Sequence, residues 1–377
     1  MKIVISGVNL TEAGPLKVFK DVVKSFLNCD VEIICLVNSN ELFNEIISSK
    51  ITFIEYPNVK KKWMSRIFFE YIQCRRISEK LRPDIWLSMH DMSPFLVSVP
   101  CQFVYCHNAS IFYKATLNDF RFDFKFSLFT LFYKWIYRIN LRSNLAIIVQ
   151  QNWIGHYFHK NLKCENILIS KPISDLKDNS TSISNKKIKG KIKFFYPALG
   201  RTFKNFEVLF NALQYLKDNY IYVYNSIELS LTISKFGSEY EKYLINKFNG
   251  LSNVIFLGKL DFSEVEKEYA RCDVVIFPSK LETWGLPISE AKEYNKPIIL
   301  SDLPYAHETL GNYSKAKFFD INDPIALSHI IIDLYNHEDV FLKKEYCDKS
   351  SFIVCNSVNE LSQKIINISQ KKISESN

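Results

Sequence analysis

Apolar residues along this chain fall into two alternating kinds of run. Short stretches rich in β-branched and aromatic residues read as strands covered on both faces: KIVIS at 2–6, VEIICLV at 31–37, ITFIEY at 51–56, DIWLS at 84–88, QFVY at 102–105 and LAIIV at 145–149. Between them lie longer segments with apolar residues at helical spacing, such as Leu16, Val18, Phe19, Val22, Val23 and Phe26. A helix is expected from near Asn40, and a long amphipathic one from about Phe126, inside the aromatic stretch 120–142. Beyond residue 190 the alternation resumes with KFFY at 193–196, LSLTI at 229–233, VIFL at 254–257, VVIF at 274–277 and PIIL at 297–300. Helices are expected from Phe206 through Leu216 and from Pro324 to Tyr335. Strands that alternate with helices over this length predict an α/β protein built on doubly wound parallel sheets.

The alternation is interrupted once. Asp175 to Gly190, DLKDNSTSISNKKIKG, is polar and lacks apolar periodicity, which reads as an interdomain linker (175–190). It divides the chain into a first domain, 1–174, and a second beginning at 191. At 377 residues, two domains are the comfortable arrangement.

Composition narrows the class. The chain is 47% hydrophobic and 23% charged, as ordinary globular proteins are. It has no apolar run of the roughly 18 residues a membrane span needs. The N-terminus turns polar too soon for a signal peptide. Nine cysteines, an odd number without C-x-x-C spacing, suit buried thiols in a reducing cytoplasm better than disulfides or zinc. Residues 1–174 hold 22 basic and 14 acidic residues, so the whole net charge of +8 belongs to the first half. The run Lys60-Lys61-Lys62-Trp63-Met64, followed by Arg66, Phe68, Phe69, Arg75 and Arg76, suits an interfacial membrane segment or a phosphate-bearing acceptor. An ordinary helix with one solvated face explains it equally well. Gly7 and Gly14 do not form G-x-G-x-x-G, which argues against a nicotinamide or flavin enzyme. No nucleic-acid-binding motif is present, and the second half is charge-neutral.

The densest chemistry lies between Val274 and Asp302. A buried strand runs through a glycine-containing loop into a helix whose first turn holds Pro287. Free amides and the positive end of the helix dipole make such a junction an anion site, and Gly285 would let a phosphate approach the backbone. Glu282 and Glu290 bracket it; carboxylates there suit hydroxyls of a ribose or sugar. Capping and a solvated helix face are the plain alternatives for the two acids. His90-Asp91 and His107-Asn108 follow two other strands, where open α/β sheets place ligands.

Taken together, Pro278-Ser279, Glu282, Trp284, Gly285-Leu286-Pro287, Glu290-Ala291, Pro297 and Ser301-Asp302 resemble the donor-site signature of retaining glycosyltransferases of family 4, whose E-x7-E motif matches Glu282 and Glu290. The resemblance spans almost the whole chain and is strongest at 190–325. It implies a GT-B fold, with two Rossmann-like domains facing across a cleft. The second domain, 191–355, would hold the nucleotide-sugar, and a C-terminal helix, 356–377, would return to the first.

By the same resemblance Gly285, Leu286 and Pro287 frame the diphosphate, Lys204 neutralises it, Glu290 binds ribose hydroxyls and Glu282 orients the sugar. His107 completes the site, and Gly14 is the nearest match to a glycine facing the diphosphate. Arg201 stands closer to Lys204 than the family's pattern has it. The implied chemistry is transfer with retention of configuration, without a bound metal or other cofactor. The implied donor is a nucleotide-sugar and the acceptor a lipid-linked glycan at the inner membrane face, as in O-antigen or capsule assembly. The expected location is cytoplasmic and peripheral on that face. A GT-B relative of other chemistry, such as a nucleotide-sugar epimerase or phosphorylase, is the first alternative, and a non-enzymatic basic binding protein the second.

Overall fold

The computed structural model describes residues 1–46, 48–172, 190–337, 340–341 and 350–375, so the expected linker lies, up to residue 189, outside the described residues. The chain forms two compact units. The first comprises 1–111, 132–173 and 349–377; the second comprises 112–131 and 174–348.

In chain order the described strands are β1 (Lys2–Ser6), β2 (Glu32–Val37), β3 (Ile51–Glu55), β4 (Ile85–Ser88), β5 (Cys101–Tyr105), β6 (Ala146–Val149), β7 (Ile167–Ser170), β8 (Ile192–Tyr196), β9 (Ile227–Leu231), β10 (Val254–Phe256), β11 (Val274–Phe277), β12 (Ile298–Ser301), β13 (Ala316–Phe319) and β14 (Ile353–Cys355). The first unit carries an eight-stranded sheet in the order β14-β7-β6-β5-β4-β1-β2-β3, the second a six-stranded sheet in the order β10-β9-β8-β11-β12-β13. The strand pairs of both sheets are parallel. These are two parallel-sheet α/β domains of the GT-B kind.

Strand periodicity explains the layering of the first unit. Ile3 and Ile5, Ile33 and Cys35, and Ile85 and Leu87 point to one face. There they meet Phe19, Val22 and Phe26 of the helix Ala13–Phe26, and Leu361 and Ile365 of the helix Val358–Ser374. Val4, Ile34, Leu36 and Trp86, one position out of step, point to the other face and meet Val59, Phe69 and Cys74. Each strand is apolar on both sides because each side is covered.

Three local features differ from expectation. The helix expected near Asn40 is a single 3₁₀ turn, Asn40–Phe43, which drops Phe43 against Phe19 at 5.1 Å. The helix expected from about Phe126 is present as Phe124–Ile136, but a short helix, Leu117–Phe122, that the periodicity did not show precedes it across Asp123, opened by a capping box between Thr116 and Asp119. Strand β14 has only three residues, too short for periodicity to reveal, yet it extends the first sheet beside β7. Among the described residues no helix is long and apolar enough to cross a membrane, and the eight described cysteines are free, seven of them buried.

The C-terminal helix is therefore part of the first core. Ile365→Ala removes a fully buried side chain and should destabilise the protein by about 2–5 kcal/mol. Gln370→Ala, on the exposed side of the same helix, should stay within about 0.5 kcal/mol. Urea midpoints of the two variants measure the difference, and equal midpoints would contradict this packing.

Candidate functional site

Both sheets reverse direction once. In the second unit β8 lies between β9 and β11, so the order read from β10 is 3-2-1-4-5-6. The loops that leave β8 and β11 thus depart from neighbouring strand ends, where open α/β sheets form a crevice.

The loop after β11 is held rigidly. Ser301 Oγ donates to the carbonyl of Ser279 at 2.9 Å, and the Tyr305 hydroxyl donates to the same oxygen at 2.7 Å. The Trp284 indole N–H donates to Ser289 Oγ at 3.0 Å, and the Thr309 hydroxyl donates to the Trp284 carbonyl. Gly285 then opens the helix Leu286–Glu293 with φ of 83°, a left-handed conformation that side-chain-bearing residues adopt at a cost. A Cβ there would also meet Ile288 Cδ1 at 3.1 Å and Phe277 Cε1 at 3.3 Å. Proline at the next-but-one position has no N–H to leave unpaired. The amides of Gly285 and Leu286 point from a helix N-terminus, where backbone donors lack intrahelical partners.

The loop after β8 reaches the same place. The Lys280 amide donates to the Phe203 carbonyl at 2.8 Å, lacing the two loops together. The Tyr196 hydroxyl donates to the Lys204 carbonyl at 2.9 Å. Lys204 Nζ donates to Glu282 Oε1, and it sits 5.6 Å from the ring centroids of Phe203 and Phe277. Both side chains of the pair are 15% exposed. A cation held over aromatic faces beside helix amides is a preorganised anion receptor. Glu290 accepts from the Tyr269 hydroxyl at 2.7 Å through Oε2. Burial, and then the Glu290 carboxylate, push the Tyr269 phenol well above its ordinary value, so it stays a donor.

The structure thus brings Lys204, Glu282, Gly285, Leu286 and Pro287 into one loop pair, with Glu290 one turn along the helix. Arg201 is turned elsewhere. It is 55% exposed and pairs with Asp123 at 3.0 Å. Tyr269 was not legible as a site residue: a tyrosine on a helical face, 21 positions before Glu290, has no motif around it.

Gly14 and His107 belong to the first unit. Gly14 lies in the first turn of the helix Ala13–Phe26. Its neighbour in role, Gly7, is the glycine with a steric reason, because a Cβ there would stand 2.3 Å from the Phe19 ring. The first sheet reverses at β1, between β2 and β4, and a polar cluster occupies the strand ends around that point. Asp91 has φ of 70°, and its carboxylate accepts from the amides of His107 (2.5 Å) and Asn108 (3.0 Å). The same carboxylate accepts from the hydroxyls of Tyr133 (2.9 Å) and Tyr137 (3.1 Å).

Arg66 donates to the His90 carbonyl at 2.6 Å. Burial works against its charge, but Tyr133, Asp91 and Glu70 more than offset that and raise its pKa. His90 Nδ1 lies 3.0 Å from Glu70 Oε1, an ion-pair distance without hydrogen-bond alignment, and Nε2 lies 3.3 Å from Ser6 Oγ. Ser6, His90 and Glu70 have the order of a nucleophilic triad. All three are buried, with Ser6 and Glu70 wholly out of solvent, so the arrangement is a brace. Glu70 reaches it from a π turn, Phe69–Gln73. Arg66 and Glu70, four apart on one helical face, carried the signal that sequence reading passed over.

A surface concavity of about 460 Å³ lined by Asn166, Ile353, Lys364 and Lys371, among others, contains none of the candidate residues.

His107 stacks on Tyr105 at 4.2 Å. Burial, its largest influence, and His90 lower its pKa to about 4 against the pull of Asp91. The folded imidazole is therefore neutral, while the unfolded chain takes up its proton near the ordinary 6.5. The stability this contributes is complete above that pH and is lost as pH falls toward about 4. Urea midpoints measured downward from pH 7 should fall through this window in the native protein and less steeply in His107→Asn. Identical slopes would refute the assignment.

Comparison with known proteins agrees with this fold. Residues 177–351, a little under half of the chain, match the family model described as Glycosyl transferases group 1. Over 59 residues the chain is 39% identical to the O-antigen chain mannosyltransferase RfbU of Salmonella typhimurium, covering 16% of this chain and 17% of that protein. Over 241 residues it is 24% identical to an uncharacterized glycosyltransferase of Methanocaldococcus jannaschii, covering 58% of this chain and 65% of that protein. The chain thus spans less than two thirds of either curated relative.

Among solved structures, WaaG, a glycosyltransferase involved in lipopolysaccharide biosynthesis, superposes with a TM-score of 0.66 at 13% identity, covering 96% of this chain and 99% of that one. Anabaena Alr3699/HepE in complex with UDP-glucose gives 0.58 at 12% identity, covering 100% and 99%. At such identity these two establish the fold. Residues 177–351 are accordingly a glycosyl transferases group 1 domain.

Proposed function

We propose that the protein is a retaining glycosyltransferase that moves a sugar from a nucleotide-sugar to a hydroxyl of a lipid-linked glycan during surface-polysaccharide assembly. The observation that carries this is the Lys204–Glu282 pair, laced beside the open helix N-terminus at Gly285 on the reversal point of the second sheet. A diphosphate entering there competes with Glu282 for Lys204 and receives the amides of Gly285 and Leu286. Released from Lys204, Glu282 becomes an acceptor for sugar hydroxyls. Glu290, which accepts from the Tyr269 hydroxyl through Oε2, exchanges its protein partners for ribose hydroxyls.

The leaving diphosphate gains its positive charge from Lys204 and the helix dipole, which is the basis for proposing metal-independent transfer. The acceptor hydroxyl attacks on the face the diphosphate vacates, so configuration is retained. In the first unit, neutral His107 keeps an Nε2 without a protein partner among the described residues, suited to a sugar hydroxyl. Arg201 and Gly14 are kept as secondary donor-side candidates. The lipopolysaccharide setting is supported by the O-antigen mannosyltransferase and WaaG, and a nucleotide-sugar donor by the UDP-glucose bound to the Anabaena protein. The basic first half supports work at the cytoplasmic face of a membrane.

Thermal shift with UDP-glucose, GDP-mannose and related donors should find one that stabilises the protein by mass action. With that donor, Glu290→Ala should mainly weaken binding. Lys204→Ala and Glu282→Ala should mainly slow turnover, by about 10²–10³ for the loss of a charge-stabilising group. NMR of the product should show the donor's anomeric configuration. Wild-type kinetics in all three variants, or an inverted product, would refute the reading.

A further inference from the structure

Between Trp63 and Arg76 the first unit exposes side chains that a water-facing helix does not need. Met64, Phe68 and Ile72, each four residues on, are 72%, 44% and 42% exposed. The inward positions of the same segment are filled by Phe69, Glu70 and Cys74. The ridge is therefore surplus to the core. Phe95, 45% exposed and 5.1 Å from the Tyr71 ring, widens it from a neighbouring loop. Lys61 and Lys62 precede the ridge and Arg75 and Arg76 follow it, all exposed. None of the four makes an ion pair among the described residues. Between Val59 and Ser78 the single acidic residue is Glu70, which is wholly buried against His90.

We propose that this face, Met64–Phe68–Ile72 with its flanking cations, docks on a bilayer containing anionic lipid. An apolar ridge rimmed by charge of one sign fits an interface with anionic headgroups outside and acyl chains within. A second copy fits poorly, because a two-fold contact through this face sets the cations of each copy against each other. Nucleic acid would use the cations but leave the ridge in water. The inference deepens the lipid-linked-acceptor reading and rests on it, since docking brings the chain to the surface that displays such an acceptor.

The full chain is tested by flotation with vesicles of phosphatidylcholine, with and without phosphatidylglycerol. Flotation should require phosphatidylglycerol and weaken as salt rises. Met64→Asp with Phe68→Asp should lower partitioning by about tenfold or more, the scale of two apolar side chains withdrawn from an interface. Arg75→Glu with Arg76→Glu should also lower it, with UDP-glucose thermal shifts unchanged in both double variants. The inference falls if the native chain does not float, if it floats equally without phosphatidylglycerol, or if Met64→Asp/Phe68→Asp floats normally. It falls too if that variant abolishes self-association in light scattering while flotation persists. Vesicle binding without any donor-induced shift would overturn the donor reading alone. A donor-induced shift without vesicle binding would overturn this inference alone.

Discussion

In a parallel sheet every connection leaves the carboxyl end of one strand, crosses a face and enters the next strand at its amino end, on the opposite side of the sheet. Where successive crossovers change direction, the loops of two adjacent strands part to opposite faces and leave a crevice between them. Each sheet of this protein has that reversal, at β1 in the first unit and at β8 in the second. The polar clusters of both units depend on it. Lys204 and Glu282, 78 positions apart, meet because they follow β8 and β11. Ser6 and His90, 84 positions apart, meet because they end β1 and follow β4.

The two reversal points carry polar groups of different character. In the second unit Lys204 and Glu282 are each partly open to solvent, and their contact is a single charged pair. Such a pair can trade its partner for a ligand's charge at modest cost. In the first unit Glu70, His90 and Asp91 are buried, and Asp91 alone collects two amides and two hydroxyls. Removing one member of a buried charged set leaves the rest uncompensated, so it resists rearrangement. The second unit's set is adaptable; the first unit's fixes the loop that presents His107.

Most of the architecture could be read from the chain. Buried parallel strands are apolar on both faces, so runs such as Val274–Phe277 are unmistakable, and their alternation with helices implies the doubly wound sheets. The junction at Gly285 was legible because strand, proline, glycine and acid stand within a dozen residues. What escaped depended on distance or brevity. Strand β14 has three residues and gains its identity only from pairing with β7. Arg66 read as a member of a basic amphipathic stretch, in which Glu70 carried no signal of its own, and only tertiary packing turns the two inward. Tyr133 and Tyr137 looked like part of an aromatic stripe, yet their hydroxyls needed an acceptor once buried, and Asp91 supplies it. The partner of Arg201, Asp123, lies between the helix Phe124–Ile136, which periodicity placed from about Phe126, and the short helix Leu117–Phe122, which it did not show.

The proposed chemistry turns on the Gly285 and Leu286 amides receiving a pyrophosphate while Lys204 neutralises it. Amide hydrogen exchange of the native protein, with and without UDP or GDP, addresses that contact directly. Protection should rise at 285–286 and in the 202–205 turn when the bound nucleotide is added, with little change in the exposed helix faces of either unit. A nucleotide that binds but protects other segments, leaving 285–286 exchanging at the free rate, would contradict it.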